Sequence, residues 1–357
     1  MLEPKRAASS TVRTSLQYRC SLLQLIGLHL AVFCVMAKTP APAAEIGEQA
    51  MTLRLNWAPG ADHAPFYYAQ QQGWYRTAGI RLAIEPGAGS TETIQKVANS
   101  ANTVGIADFA QILIARSKGA DVVAIMNIFA NSPHTLYWRK SSRITSLREF
   151  SGRRLGTPIT DPIRILWRAL AKANAVDPES VVWVDVGHNA KLGALKEERI
   201  DVAVSSFFYN RRDYVQAFGP DLMELRWTDA GLNLYSNSLV ANRDMIERAP
   251  HVLRSFVSIT QRAFTKCLTD PMPCLDALVQ ANSQLDRAEQ AENWALVRSL
   301  VAPKSPPGAA LGAFDAQRIK LDCAVISEAF KLDRRVDSAA AVTHEFLDSA
   351  IRVNDEE

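Results

Sequence analysis

Four side chains able to stack on, or hydrogen-bond to, a planar ring are concentrated between Trp57 and Tyr67. Trp57 ends an apolar run that predicts a strand, and His63, Phe66 and Tyr67 lie on the following loop and first helical turn. Aromatic faces that converge in this way can hold a ring by stacking. The alternative is packing in the core, which for Trp57 and Phe66 fits the sequence equally well. For His63 a purely structural role is the alternative.

A glycine-rich turn and the end of another strand supply the next candidates. Gly89 and Ser90 lead from a strand into a helix, where free amides can bind a carboxylate, a sulfonate or polar ring atoms. Helix capping by Ser90 is the alternative and is compatible with ligand contact. Asp108 is expected either to cap the following helix or to accept a hydrogen bond from a ring amino group. No Gly-Lys-Ser or Gly-Lys-Thr follows the turn, which excludes a P-loop.

The middle of the chain supplies the remaining ligand-binding candidates. Asp161 is a predicted N-cap with Pro162 at the first helical position. Arg164 then falls in the first turn, where the helix dipole disfavours a cation. An acidic ligand group would explain this placement, and an ion pair with Asp161 is the alternative. Further candidates are polar residues at strand ends or on crossing segments: Ser132, Thr157, Ser205, Ser206 and Tyr209.

The sequence contains none of the common motifs for hydrolysis or metal binding. It has no Gly-x-Ser-x-Gly, no His-Glu-x-x-His and no Cys/His pair with a cysteine at a helix start. We therefore expect no catalytic residue, no metal and no cofactor. The first 44 residues carry five basic residues and one acidic residue, so the rest of the chain is close to neutral. The near-neutral charge of residues 45–357 argues against a nucleic-acid partner.

The first 44 residues have the layout of a secretory signal. A basic segment precedes an apolar run from Leu22 to Ala37, and small residues follow at 41–44. The run is shorter than a membrane-spanning helix needs, so a cleaved signal is favoured over an anchor. Lipidation of Cys34 is a minor alternative, because Phe33 occupies a position where lipoprotein signals have a small residue. We expect the mature protein to be periplasmic, and no later segment is predicted to span a membrane.

Secretion gives structural meaning to the three cysteines that remain. Cys267 and Cys274 flank a turn-rich stretch with two prolines, and in an oxidising compartment they are expected to form a disulfide. A zinc site is the alternative, but no histidine lies at ligand spacing. Cys323 lies in an apolar helical pattern and is predicted to be a buried thiol.

From Met51 onward, short apolar runs alternate with helical periodicity, which is typical of an α/β protein. The predicted strands are 51–57, 80–85, 103–106, 122–128, 154–157, 181–185, 201–205, 222–228 and 234–241. The predicted helices are 64–75, 91–99, 109–118, 162–173 and 190–197, with further helices after Arg243.

Two crossing segments, Asn131–His134 and Asp229–Leu232, predict that the middle block is inserted into the first. Residues 45–133 and 234–357 would then form lobe 1, and 134–233 would form lobe 2, after a signal at 1–44. Lobes joined by a double crossover leave a cleft, and ligands of α/β sheets bind at the carboxyl ends of the strands.

Several motifs resemble periplasmic substrate-binding proteins of ABC importers, of the thiamine-pyrimidine, sulfonate and taurine type. The similarity extends from Met51 to Val301 and is clearest in these segments: Leu55–Pro59, Asp62–Ala69, Gly73–Tyr75, Ala78–Ile80, Pro86–Ser90, Val104–Asp108, Ala115–Gly119 and Gly231–Tyr235. The resemblance implies a bilobal, type II-like periplasmic-binding-protein fold that closes about its hinge.

The same resemblance implies a function and its partners. A monomeric protein would capture a small planar aromatic or heteroaromatic molecule, a pyrimidine thiamine precursor above all, and deliver it to an ABC permease and its ATPase. An aromatic carboxylate or an organic sulfonate is the alternative ligand. Yeast-type pyrimidine synthases share the fold family, but the sequence lacks their cysteine-rich motif, so we expect no enzyme. A binding protein that serves a sensor kinase is a third possibility.

Overall fold

Ten strands form two mixed sheets in the computed structural model, which describes residues 48–159, 161–301, 308–332 and 336–352. The predicted secretory signal and Cys34 lie outside these residues. The strands are β1 (Gln49–Arg54), β2 (Ile80–Glu85), β3 (Thr103–Asp108), β4 (Val122–Asn127), β5 (His134–Arg139), β6 (Arg154–Thr157), β7 (Val182–Asp185), β8 (Val202–Phe207), β9 (Leu222–Arg226) and β10 (Asn237–Asn242).

The strand order shows where the chain changes sheets. Sheet A has the order β2-β1-β3-β10-β4, and sheet B has the order β7-β6-β8-β5-β9. In sheet A, β1 pairs in parallel with β2 and β3, while β10 is antiparallel to β3 and β4. In sheet B, β6 is parallel to β7 and β8, and β5 is antiparallel to β8 and β9. The chain therefore leaves sheet A after Asn127 and returns to it at Asn237.

Helices cover the sheets on the segments between strands and after β10. They are α1 (Ala64–Gln71), α2 (Trp74–Thr77), α3 (Ser90–Ala98), α4 (Phe109–Ser117), α5 (Ile163–Ala173), α6 (Lys191–Lys196), α7 (Arg212–Phe218), α8 (Arg243–Arg248), α9 (Pro250–Thr269), α10 (Met272–Ala281), α11 (Arg287–Val301) and α12 (Ala316–Phe330). Helix α12 packs against both α4 and α5. No helix in the described ranges is long and apolar enough to cross a membrane.

The burial of β4 explains why it forms and where the core lies. All six of its residues are buried, as expected for a strand covered on both faces. Val123 and Ile125 point into a core cluster with α1, α9 and α10, whereas Val122 and Ala124 belong to a second cluster with α4, α5 and α12. Because successive side chains of a strand point to opposite faces, β4 contacts two layers of helices, one on each face of the sheet.

Several predicted elements differ locally from the structure. The predicted helix 64–75 is two helices, because Gly73 adopts a left-handed conformation with φ of 70° between α1 and α2. Helix α5 begins at Ile163, and Asp161 caps it by accepting a hydrogen bond from the Ile163 amide at 2.9 Å. Strand β5 and helix α7 were not predicted as elements. Cys267 and Cys274 form a disulfide, and Cys323 is a buried free thiol.

Candidate functional site

The carboxyl ends of strands from both sheets meet at an aromatic pair. Trp57 follows β1 of sheet A, and His188 follows β7 of sheet B on a 3₁₀ turn. Their ring centroids are 5.6 Å apart and the rings are nearly perpendicular, at 72°. Trp57 is 42% exposed, which is unusual for so large an apolar side chain. The pair marks the place where a planar ligand could enter between the two sheets.

A buried hydrogen-bonded network lies close to Trp57 in the chain and joins Asn56, Gly60 and His63. The amide of Gly60 donates to Nδ1 of His63 at 3.1 Å, so this nitrogen is unprotonated. Nε2 of His63 therefore carries the proton and donates it to Oδ1 of Asn56 at 2.9 Å. Burial lowers the pKa of His63, although the neighbouring Asp62 raises it. His63 is thus a neutral residue with both ring nitrogens bonded to protein, and it could bind a ligand directly only by exchanging one of these bonds.

Tyr209 connects this network to sheet B. It follows β8 on a 3₁₀ turn, is buried, and donates from its hydroxyl to Oδ2 of Asp62 at 3.5 Å. Burial, together with the negative charge of Asp62, raises the pKa of Tyr209 well above its usual value. Its hydroxyl therefore remains a donor at any physiological pH and is already used within the protein.

Asp161 is the central polar residue on the sheet B side. Its carboxylate accepts hydrogen bonds from the Thr157 hydroxyl at 2.9 Å and from the Ile163 amide at 2.9 Å. Nε2 of His188 lies 4.0 Å from Oδ2 of Asp161. Asp161 thus lies next to the aromatic pair, within reach of any ligand that enters there.

A buried lysine belongs to the same group. Lys191 begins α6, is 3% exposed, and donates from Nζ to the carbonyl of Val204 at 2.8 Å. Burial lowers its pKa to about 8, against the opposing charge of Asp161. Burial, together with the positive charge of Lys191, also lowers the pKa of His188. At pH 7 this side therefore carries an ammonium group next to a neutral imidazole.

The glycine-rich turn of sheet A fits tightly against the end of β1. A Cβ at Gly87 would lie 1.9 Å from the carbonyl oxygen of Leu55, so only glycine fits there. The amides of Gly87 and Gly89 donate to the carbonyls of Trp57 at 3.1 Å and Asn56 at 2.9 Å. The turn therefore positions Trp57, and ligand binding by Gly89 and Ser90 stays a prediction.

Asp108 caps α4, which is one of the two roles that the sequence predicted. Its carboxylate accepts from the Ala110 amide at 3.0 Å, at the start of α4, and from the Ser236 hydroxyl at 2.7 Å. The Asp108 amide in turn donates to the Ser90 hydroxyl oxygen at 3.0 Å. These bonds tie the starts of α3 and α4 together at the end of sheet A.

The crossing segment adds Ser132 and a histidine at the start of β5. Ser132 is buried, and its hydroxyl accepts from the amide of His134 at 3.4 Å. The ring of His134 packs against Trp227, and its Nδ1 has no hydrogen-bond partner among the described residues. Burial lowers the pKa of His134. A cavity of about 10 Å³ lies beside both residues, room for at most one water molecule.

The structure corrects three sequence-based interpretations, and two further candidate residues lie outside what is described. Phe66 is fully buried with its ring edge against Phe264, so it packs in the core instead of joining Trp57. Tyr67 is also buried, as part of the same core cluster. Arg164 forms no ion pair with Asp161; its guanidinium lies 4.8 Å from the ring centroid of Trp183. The side chains of Ser205 and Ser206 lie outside the described part of the chain.

The model of the NMT1/THI5-like family matches residues 60–273, which is more than half of the chain. The chain belongs to the NMT1/THI5-like family. This confirms the resemblance seen in the sequence.

Curated relatives of this NMT1/THI5-like chain include binding proteins and enzymes. It is 25% identical to the riboflavin-binding protein RibY of Chloroflexus aurantiacus, over 68% of this chain and 69% of that protein. It is 23% identical to the formylaminopyrimidine-binding protein of Halalkalibacterium halodurans, over 80% of this chain and 88% of that one. It is also 26% identical to the 4-amino-5-hydroxymethyl-2-methylpyrimidine phosphate synthase of Legionella pneumophila, over 66% and 74%.

Solved structures establish the fold of this family member. The alkanesulfonate-binding protein SsuA of Xanthomonas axonopodis, bound to MOPS, has a TM-score of 0.64 at 14% identity and covers 83% of this chain and 99% of that one. The periplasmic aliphatic sulphonate-binding protein SsuA of Escherichia coli has the same TM-score at 12% identity, covering 82% and 92%. The α/β fold is that of periplasmic binding proteins, as the sequence predicted.

Sequence reasoning missed two residues that the structure brings to this site, His188 and Lys191. Lys191 lies in the predicted helix 190–197, and His188 lies two residues before that helix. The available signal was position: Gly187 follows β7, and a glycine at the end of a strand often precedes a functional loop.

Proposed function

We propose that this chain is an extracytoplasmic solute-binding protein of an ABC importer and that it captures a small planar heteroaromatic ligand between Trp57 and His188. The observation that carries the proposal is this aromatic pair, with one ring following a strand of sheet A and the other following a strand of sheet B. A pyrimidine precursor of thiamine is the preferred ligand, because two of the relatives are named for pyrimidines of this kind.

Ligand entry requires the two rings to separate. A planar ring stacked on both faces needs roughly 7 Å between the outer rings, which is more than the present 5.6 Å between centroids. The rings must also turn from 72° toward parallel. We propose that rotation about the two crossings, 128–133 and 227–236, moves the rings apart to admit the ligand and then closes them on its two faces. The permease would recognise this ligand-bound form.

Binding without turnover is favoured over synthesis for this chain. The residues around the aromatic pair are already bonded to one another: His63 to Asn56, and Asp161 to Thr157 and Ile163. Within the described ranges, no group of three acidic, histidine or cysteine side chains could hold a metal ion. The sequence also lacks the cysteine-rich motif of the yeast-type synthases. Incubation with a bound pyrimidine should return it chemically unchanged.

Titration calorimetry with 4-amino-5-hydroxymethyl-2-methylpyrimidine tests the site. Trp57→Ala should weaken binding by about 1 to 3 kcal/mol, the range for a base stacked on an aromatic side chain. His188→Ala should weaken binding in the same direction. Trp74→Ala and His251→Ala, which change the same residue types away from the pair, are the matched controls. Unchanged affinity in Trp57→Ala would place the ligand elsewhere.

A further inference from the structure

A groove of about 570 Å³ lies beside the aromatic pair and is not used by the ring-stacking model. One side is formed by α4 and the start of α3, and the other by α5 and the segments around it. Asp161 lines the groove, and its Oδ2 lies 4.0 Å from Nε2 of His188, so one end of the groove lies next to the aromatic pair. Its volume falls in the range of small-molecule sites, roughly 300 to 1,000 Å³.

The charges of this groove are not balanced. Arg168 is paired with Glu179 at 2.9 Å, and Asp161 accepts from Thr157 and Ile163. Lys118 and Arg164 form no ion pair with any carboxylate in the described part of the chain. Three cations therefore face two carboxylates in the groove, which leaves one positive charge in excess.

Arg164 is held in a conformation suited to binding an anion. Its guanidinium lies 4.8 Å from the ring centroid of Trp183. A guanidinium that packs on an aromatic ring keeps its N–H groups available at the edge and loses little conformational freedom when it binds. Lys118 follows α4 on the opposite side of the groove and supplies a second positive charge there.

The groove also offers apolar surface for the body of a ligand. Ile159 is 68% exposed and Ile165 is 38% exposed, although both are large aliphatic residues. Trp183 and Phe330 line the same groove. An apolar surface next to two unpaired cations is complementary to an aromatic or heteroaromatic anion, and a neutral ring would leave both cations unused.

We infer that the ligand of this protein carries an anionic substituent, a carboxylate, sulfonate or phosphate, which binds in the groove between Arg164 and Lys118. The inference rests on the proposed function, since it assigns a charge to the ligand whose ring the aromatic pair holds. It also gives Arg164 the role that remains once an ion pair with Asp161 is excluded.

Pairs of ligands that differ only in charge provide the test. We would titrate 4-amino-5-hydroxymethyl-2-methylpyrimidine against its phosphate ester, and benzyl alcohol against benzoate and benzenesulfonate. In the wild-type protein the anion of at least one pair should bind about tenfold to a hundredfold more tightly, the range for a charge-assisted hydrogen bond. Its affinity should also fall with added salt. The member that binds best identifies the kind of anion.

Substitutions locate that preference in the groove. The double variant Lys118→Gln/Arg164→Gln should bring the anion to the affinity of its neutral partner and flatten the salt dependence. Lys140→Gln/Arg148→Gln removes the same charge from exposed positions of the sheet B side outside the groove and serves as the control. Trp57→Ala should weaken both members of a pair alike.

The two proposals fail in different ways. If neutral rings bind through Trp57 and no anion binds more tightly, the proposed function stands and the anionic ligand is ruled out. If an anion binds more tightly but the double variant keeps that preference, the groove assignment is wrong. If no member of any pair raises the melting temperature or gives heat, both proposals are overturned.

Discussion

His63 and Lys191 are buried bases on opposite sides of the candidate site, and burial leaves one neutral and the other positively charged at pH 7. Burial lowers the pKa of both. His63 starts from 6.5 and is therefore neutral at pH 7, whereas Lys191 falls only to about 8 and stays mostly protonated. The sheet A side thus presents Trp57 next to a neutral histidine, and the sheet B side presents a buried ammonium group.

Because of this difference, stacking and charge are expected to contribute separately to ligand recognition. Stacking on Trp57 depends on shape and tolerates many rings, because every aromatic ring has a polarisable face. Discrimination by charge depends on Asp161, Lys191 and Arg164, which all follow strands of sheet B, and on Lys118 at the end of α4. Changes at the aromatic pair should therefore alter affinity for all ligands, and changes at these charged groups should alter the preference among them.

The largest expected effect tests whether Phe66, in helix α1, has a structural role. Phe66→Ala removes a fully buried ring that packs on Phe264, and we expect a loss of about 3 to 5 kcal/mol in the free energy of unfolding. Ligand affinity of the folded fraction should stay at the wild-type value. Urea denaturation and calorimetry measure the two quantities. A variant of normal stability that has lost affinity would instead make Phe66 a ligand residue.

A smaller effect tests the charge on the sheet B side. The pKa of Lys191 is lower in the folded state than in the unfolded one, so the unfolded state binds more protons between about pH 8 and pH 10.5. Wild-type stability should therefore gain about 2 to 3 kcal/mol from this group across that range, and Lys191→Met should lack the gain. Urea denaturation at pH 7.5 and 10.5 measures it, with Lys196→Met as a control on the same helix. Equal gains in wild type and Lys191→Met would show that this ammonium is not buried.

The smallest expected effect tests whether His63, on the sheet A side, is neutral in the folded protein. The pKa of His63 is lower when folded, so the unfolded state takes up the extra proton and stability falls as the pH drops below about 6.5. His63→Gln should make the free energy of unfolding fall less steeply than in the wild type between pH 6 and pH 5. Part of the slope remains, because burial also lowers the pKa of His134, His188 and His344. A slope that does not change would mean that His63 is protonated in the folded protein.

The sequence predicted the fold well where local chemistry decides it. Ile80–Glu85 and Arg154–Thr157 form strands with the predicted bounds, because their apolar runs end at strong turn or cap signals. Gly87 belongs to the glycine-rich turn that the sequence predicted, and a side chain there would collide with Leu55. Strand β5 was missed, since its pairing with β8 and β9 is decided by residues far away in the chain.

The candidate site was harder to predict for a related reason. Trp57 was identified because it ends a strand, but Phe66 has the same chemistry and points into the core, which only the packing of α1 on α9 decides. His188 reaches Trp57 across two sheets and 131 positions, a proximity that no local pattern contains. The charge state of Lys191 depends on burial, which composition does not reveal.

The central claim is that Trp57 and His188 hold one ring between them, and a double-mutant cycle on binding tests it most directly. The free energy of binding of the best ligand would be measured for wild type, Trp57→Ala, His188→Ala and the double variant. If both rings contact the same ligand, the single losses will not add, and the coupling should be about 0.5 kcal/mol or more. Additive losses, or no loss in either single variant, would contradict the account.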